Sequence, residues 1–135
     1  MIDSVLTVVK SCDDVILATC GDAYPDARHV TNAMNRDATN LNLFFMTGRD
    51  TPKYNQLQKE PLCCLYYFNP ANRHSVRLYG EIKFVDDIQI RKKYWRDEYK
   101  KFGYSGAESD DFILMHFVPN SYKFYIGNDL KTGLI

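Results

Sequence analysis

Apolar positions along this chain recur with two periods. Ile2, Val5, Leu6 and Val9 fall at i, i+3, i+4 and i+7, which predicts a short amphipathic helix over one side of a core. Val15 to Cys20 then reads as a strand, and Gly21-Asp22-Ala23-Tyr24-Pro25-Asp26 as the turn of a hairpin, too short for a crossover. Ala27 to Asn35 is expected to be the next strand, and it is unusually polar. Arg28, Val30, Asn32 and Met34 share one face, and His29 and Thr31 the other. Such a strand either lies at a solvated edge or lines a site. Arg36 to Asn40 is a further turn, and Leu41 to Thr47 an apolar strand, so this half of the chain predicts an antiparallel meander.

Gly48 and Asp50 punctuate the end of that strand, and Thr51-Pro52 reads as an N-cap followed by proline at the first helical position. Backbone N–H groups at a helix start lack partners, and the helix dipole favours an anion there. Arg49 and Lys53 add charge, and Thr47 and Thr51 add hydroxyls. The stretch suits a phosphate, and it equally suits an ordinary capped helix with two solvated cations. This helix is expected to end near Pro61, with Tyr54 and Leu57 facing inward.

Leu62 to Phe68 is an apolar strand. Ser75 to Val85 alternates, with Val76, Leu78, Gly80, Ile82 and Phe84 on one face and Arg77, Tyr79, Glu81 and Lys83 on the other; Gly80 suggests a bend or a close backbone approach. Asp87 to Phe102 predicts one amphipathic helix with Ile88, Trp95, Tyr99 and Phe102 on its stripe, Trp95 as a packing anchor and Arg91 among the solvated cations. Phe112 to Val118 and Tyr122 to Ile126 predict two strands joined by a turn at Pro119-Asn120-Ser121, with His116 as a satisfied core histidine. Gly127 to Ile135 reads as an extension or a dimer-contact arm. Six to seven antiparallel strands with about three flanking helices predict a mainly β fold with some α, a small barrel whose closure removes exposed edges.

Composition narrows the function. At 135 residues the chain predicts a single domain, 1–135. Seventeen acidic and seventeen basic residues give a formal net charge of zero, which argues against nonspecific nucleic-acid binding and removes the usual charge barrier to self-association. No apolar run approaches the roughly 20 residues of a membrane helix, and Met1-Ile2-Asp3-Ser4 carries no positive leader. Cys12, Cys20, Cys63 and Cys64 form no C-x-x-C pair, so buried free thiols in a reducing cytoplasm are expected, with no metal site.

The succession Tyr24-Pro25-Asp26-Ala27-Arg28, Leu43-Phe44-Phe45-Met46-Thr47, Thr51-Pro52-Lys53-Tyr54-Asn55-Gln56-Leu57 and Val76-Arg77-Leu78-Tyr79-Gly80-Glu81 resembles the pyridoxamine 5′-phosphate oxidase-like FMN-binding split barrels, and within them the short general-stress-protein branch. The resemblance runs from about Val15 to Ile126. It implies a split β-barrel, a homodimer, and FMN held at the dimer interface. Carried over by position, it implies that Arg28 contacts the phosphate or ribityl oxygens. His29, Val30 and Thr31 lie on the cofactor strand, where the backbone of Val30 and Thr31 meets the ring. Met46 and Thr47 form the next contact pair, Thr51 and Lys53 the phosphate turn, and Ser75 stands where the oxidase carries a flavin-contacting Gln. The chain departs from the oxidase at Pro52, where that enzyme has a basic residue, at Ala33, where it has Lys, and after Ile126, where its longer C-terminal part has no counterpart.

No nucleophile–base pair or paired carboxylates stand out, so no catalytic side chain is nominated. The expected function is an FMN-dependent oxidoreductase acting on an unknown small molecule, with NAD(P)H or another reductant. Two alternatives remain: a non-catalytic flavin-binding or sensor module, and a related split barrel taking a deazaflavin or haem, for which His29 is the residue to watch.

Overall fold

The computed structural model describes all residues, 1–135. Helix α1 (Ile2–Ser11) is followed by strands β1 (Asp14–Cys20), β2 (Pro25–Thr31) and β3 (Leu43–Gly48), helix α2 (Pro52–Lys59), strands β4 (Leu62–Phe68) and β5 (Ser75–Phe84), helix α3 (Ile88–Tyr94), and strands β6 (Phe112–Ile126) and β7 (Asp129–Leu134). Two 3-10 turns, Ala33–Asn35 and Asp97–Phe102, complete it. All seven strands join one antiparallel sheet in the order β2-β1-β4-β5-β6-β3, with β7 also on β6. The sheet curls into a barrel that is not hydrogen-bonded shut: β2 and β3, the two ends of the path, approach each other without a ladder.

Alternation places Val15 and Leu17, Leu43 and Phe45, Leu65 and Tyr67, Val76 and Leu78, and Phe117 and Phe124 inside. Val5, Val8 and Val9 of α1 cover β4 and β5 at one end, and Leu57 of α2 joins the same core. A second cluster of Met46, Tyr99, Phe112 and Leu114 lies outside β3 and β6, beneath the segment after α3.

The expected meander stops after one hairpin. β3 pairs with β6, Leu43 opposite Phe117, and not with β2. Two buried amides divert the chain. Asn32 donates to the carbonyls of Val9 and Cys12, each at 2.8 Å, which ends the strand at Thr31 and not at Asn35. Asn35 accepts from the Phe44 N–H at 2.8 Å and donates to the Phe44 carbonyl at 2.9 Å. Its side chain thereby occupies the β3 edge that a neighbouring strand would have used. Asn35 also donates to Asn32 Oδ1 at 3.1 Å, joining the two into a clasp.

β6 runs unbroken through Pro119, where a turn was expected. Its first half pairs with β3, its second with β7, and its other edge with the whole of β5. A register shift beside Tyr79 and Gly80 admits the proline. A Cβ at Gly80 would collide with the Val118 carbonyl and lie 2.8 Å from the Phe117 ring, so the close approach expected of this glycine is present. The C-terminal segment is not a free extension: Gly127, at φ 61°, starts a two-residue hairpin turn that returns β7 onto β6.

The helix expected from Asp87 to Phe102 is broken. α3 stops at Tyr94, and Trp95 is extended (φ −72°, ψ 141°). Its ring then packs edge-on against Phe112 and Tyr99, with centroids 5.0 and 5.8 Å away. Ile88 and Phe102 are exposed, so the expected stripe does not exist. Arg91, expected in solvent, is buried and donates to the carbonyls of Ala107, Ser109 and Phe112 at 2.7–2.9 Å, fixing the loop before β6. His116 is half-buried, stacks on Phe44 and bonds to Asn42 Oδ1 at 2.9 Å; it is satisfied but not in the core. All four cysteines are free, but only Cys63 is buried, its thiol pushed up to about 12 chiefly by burial, and Cys20 is exposed.

Two substitutions separate a satisfied buried polar group from an unsatisfied one. Asn35→Leu strands the Phe44 N–H and carbonyl and is expected to cost about 2–4 kcal/mol in urea unfolding. Tyr67 buries its hydroxyl without a partner, so Tyr67→Phe should leave stability unchanged or raise it by up to about 1 kcal/mol.

Candidate functional site

The gap between β2 and β3 gathers most of the residues singled out in the sequence. Arg28, His29, Val30 and Thr31 lie on β2, which is paired on one edge only. Backbone groups along its other edge have no strand partner. Met46 and Thr47 lie on β3 across the gap, and the chain passes directly from β3 through Thr51 into α2. Asp50 takes φ 67° in that connection. Val30 and Met46 bury their side chains, Val30 in the barrel core and Met46 in the outer cluster, and His29 is exposed.

The start of α2 is built around Thr51. Its Oγ1 accepts from the Tyr54 N–H at 3.3 Å and donates to the Gly48 carbonyl at 3.0 Å, while the buried Thr47 hydroxyl lies 3.1 Å away. Both hydroxyls are therefore engaged in the cap. Pro52 has no N–H, and the Lys53 N–H is the first helix-start donor without a partner.

Arg28 is held more firmly than the sequence indicated. Its guanidinium donates to the Leu17 carbonyl at 3.0 Å, Thr19 Oγ1 at 2.8 Å and Gln56 Oε1 at 3.0 Å, and pairs with Asp26 at 3.1 Å. Gln56 Nε2 donates back to Asp26 at 3.0 Å, and Thr19 Oγ1 donates to Gln56 Oε1. This lattice ties α2 to β1 and β2. The Gln56 hydrogen bond, then the Ala27 N–H and the Arg28 charge, hold the Asp26 carboxyl below its usual range.

Lys53 stands apart from this lattice. It is half-buried, has no carboxylate partner, and lies near enough to Arg28 to feel its charge. Burial first, and Arg28 second, hold its ammonium below the ordinary lysine range. An unpaired cation beside a second cation, next to a free helix-start N–H, is chemically a receptor for an anion. Arg49 is not part of it: its Nε bonds to the Asp110 carbonyl at 3.0 Å and its guanidinium sits over Tyr54.

Ser75 is not brought to this gap. It opens β5, three strands from β2, with Phe68 and Tyr125 as neighbours. Beyond Thr31 a cleft of about 300 Å³ opens, lined by Thr31, Met34, Arg36, Tyr94, Arg96 and Tyr99 among others. Sequence reasoning missed Thr19, Asp26 and Gln56 as the supports of Arg28. Only Tyr54 and Leu57 were read as the inward residues of α2, and nothing local marked Gln56 as a bridge to β1 and β2.

Removal of the Gln56 bridge tests this lattice. Gln56→Leu leaves Thr19 and Arg28 short of an acceptor and should lower unfolding stability by roughly 1–3 kcal/mol, with the loss measured by urea titration.

A family model described as "Pyridoxamine 5′-phosphate oxidase like" matches residues 2–133. Among solved structures, a protein from Clostridium acetobutylicum related to general stress protein 26 of B. subtilis (pyridoxinephosphate oxidase family) superposes with a TM-score of 0.85 at 20% identity, over 99% of this chain and 94% of that one. A pyridoxamine 5′-phosphate oxidase-related, FMN binding protein from Nostoc punctiforme gives 0.69 at 18% identity, over 99% and 94%. A heme binding protein from Mycobacterium smegmatis gives 0.74 at 13% identity, over 96% and 55%. No curated protein matches the chain. These likenesses establish the split-barrel fold.

Proposed function

Because the chain belongs to the pyridoxamine 5′-phosphate oxidase-like family, we propose that it binds FMN in the gap between β2 and β3 and acts as an FMN-dependent oxidoreductase on a small molecule. The observation that carries this reading is Lys53, a half-buried cation without a carboxylate beside Arg28 at the start of α2. In this reading Lys53 and its backbone N–H take the phosphate, and Arg28 holds α2 in place and adds its field. The free β2 edge at Val30 and Thr31 offers backbone groups to the rim of the ring, with Met46 and Thr47 on the opposite lip. Bound FMN would supply the hydride or electron transfer; the protein binds and orients it and tunes its surroundings. The cleft beyond Thr31 gives a small substrate room next to the ring.

Ser75 suits this site only if a second copy brings it there. That fits a homodimer with the cofactor at its interface, as does the absence of net charge. Four free thiols suit a reducing, cytoplasmic setting. Haem is the second reading, favoured by the haem-binding neighbour and the exposed His29; a Soret band lost in His29→Ala would establish it.

FMN and riboflavin titrations of cofactor-free protein, followed by flavin fluorescence, test the main reading. FMN should bind far more tightly than riboflavin. Lys53→Ala should weaken FMN by roughly tenfold or more, the equivalent of a charge-assisted hydrogen bond, and leave riboflavin unchanged. Equal losses for both ligands would remove Lys53 from the phosphate.

The pH dependence has a definite sign. A depressed lysine loses its proton at lower pH than usual, so FMN affinity should fall as pH rises, beginning below the ordinary lysine range. Riboflavin affinity should not follow it, and Lys53→Ala should flatten the FMN profile.

A further inference from the structure

The cleft beyond Thr31 holds a polar group that the fold leaves unused. Tyr99 is only 4% exposed, and its ring packs with Met46, Phe112 and Leu114 in the outer cluster. Its hydroxyl nonetheless makes no hydrogen bond within the protein, and it opens on the cleft and is not sealed away as the Tyr67 hydroxyl is. Burial holds the Tyr99 hydroxyl above the ordinary tyrosine range, with the charges of Arg96 and Arg36 opposing and that of Glu98 adding to it, so it stays a donor at neutral pH. Two guanidinium groups are thus within electrostatic reach of one hydroxyl, and the backbone of each is fixed. Arg36 follows the 3-10 turn that the Asn32–Asn35 clasp holds. Arg96 lies between Trp95, which packs on Phe112, and Tyr99, whose N–H is tied to this segment by donating to the Arg96 carbonyl at 2.9 Å. Neither guanidinium has a carboxylate within ion-pair distance. Arg96 donates through Nη1 alone, to the carbonyls of Trp95 and Lys93 at 3.2 and 3.4 Å.

A buried hydroxyl without a partner costs stability unless something else meets it. Converging with two guanidinium forks, it completes a donor set for a planar oxyanion. Charge selects which oxyanion. Arg36, Arg96 and Lys101 line the cleft together with Asp37 and Glu98, which leaves one positive charge in excess. That balance fits a monoanion and disfavours a phosphoryl group, which carries about −1.5 to −2 at neutral pH. Met34 and Phe102 supply apolar wall beside the donors, and a volume of about 300 Å³ limits the rest of the molecule to a small body. We propose, resting on the flavin reading above, that the substrate is a small organic monocarboxylate whose carboxylate is held by Tyr99, Arg36 and Arg96. Thr31 belongs both to the cleft and to the β2 edge assigned to the ring, so an acid anchored at Tyr99 extends toward the flavin.

The test is calorimetric titration of benzoate into FMN-free and FMN-loaded protein, in the assembly it forms in solution. Benzamide serves as the uncharged control and phenyl phosphate as the dianionic one. Wild type is compared with Tyr99→Phe, which keeps the ring and its packing, and with Arg36→Gln and Arg96→Gln, each checked for its fold by circular dichroism. Saturable benzoate binding that falls roughly fivefold or more in Tyr99→Phe and roughly tenfold or more in each arginine variant, while FMN affinity changes less than about twofold, supports the site. A benzoate-induced shift of the bound flavin's absorption supports its place beside the ring. Four results overturn the proposal: no saturable benzoate binding to either form of the wild type, binding that survives all three substitutions, benzamide or phenyl phosphate binding as tightly as benzoate, or benzoate bound with no change in the flavin spectrum. The two readings fail separately. Benzoate binding without FMN binding removes the flavin and leaves the carboxylate receptor, whereas FMN binding without benzoate binding removes the receptor alone.

Discussion

The Asn32–Asn35 clasp decides the path of this chain. Two short amides, buried and fully bonded, end β2, anchor the carbonyls at the end of α1, and cap the β3 edge at Phe44. Without them the cheapest continuation of a β1–β2 hairpin is a third adjacent strand. With them β3 is free to seek β6, and the barrel remains parted between β2 and β3. The gap that holds the candidate site is thus a consequence of side-chain amides standing in for a strand. Buried polar groups specify structure in this way because leaving any one of them unpaired is costly.

Around that gap, positioning and binding fall to different residues. Thr51 and Thr47 are occupied in building the cap, and Arg28 in binding α2 to the sheet through Asp26, Thr19 and Gln56. What remains uncommitted is Lys53 and the first helix-start N–H. A cation that shares its surroundings with another cation gains most from an arriving anion, since the anion relieves both repulsion and desolvation.

Much of the architecture was legible in the sequence where the signal was local. A continuous apolar run marked β4 and alternation marked β5, both at their observed starts, the heptad-like spacing marked α1, and Thr51-Pro52 marked the start of α2. Gly80 announced a close approach, and the resemblance supplied the barrel. What the sequence did not reveal was decided by single contacts between distant elements. Asn32 and Asn35 looked like strand residues, and Arg91 looked like one more cation on a helix. Pro119 looked like a turn because its accommodation depends on a one-residue bulge at Asn120 beside it, admitted by the glycine opposite, Gly80 of β5. Of the candidate site, the residues on β2, β3 and α2 were legible as a group, whereas the supports of Arg28 were not, since a glutamine and a threonine carry no signal of their own.

The pairing of β3 with β6 also sets a schedule for synthesis on the ribosome. Leu43 to Met46 leaves the exit tunnel long before Phe112 to Phe117, and at about 5–20 residues per second the wait is on the order of 4–15 s. During that interval one of the most apolar stretches in the chain has neither its ladder partner nor the cover of the outer cluster. Release of an incomplete product during that interval would expose a strand prone to self-association.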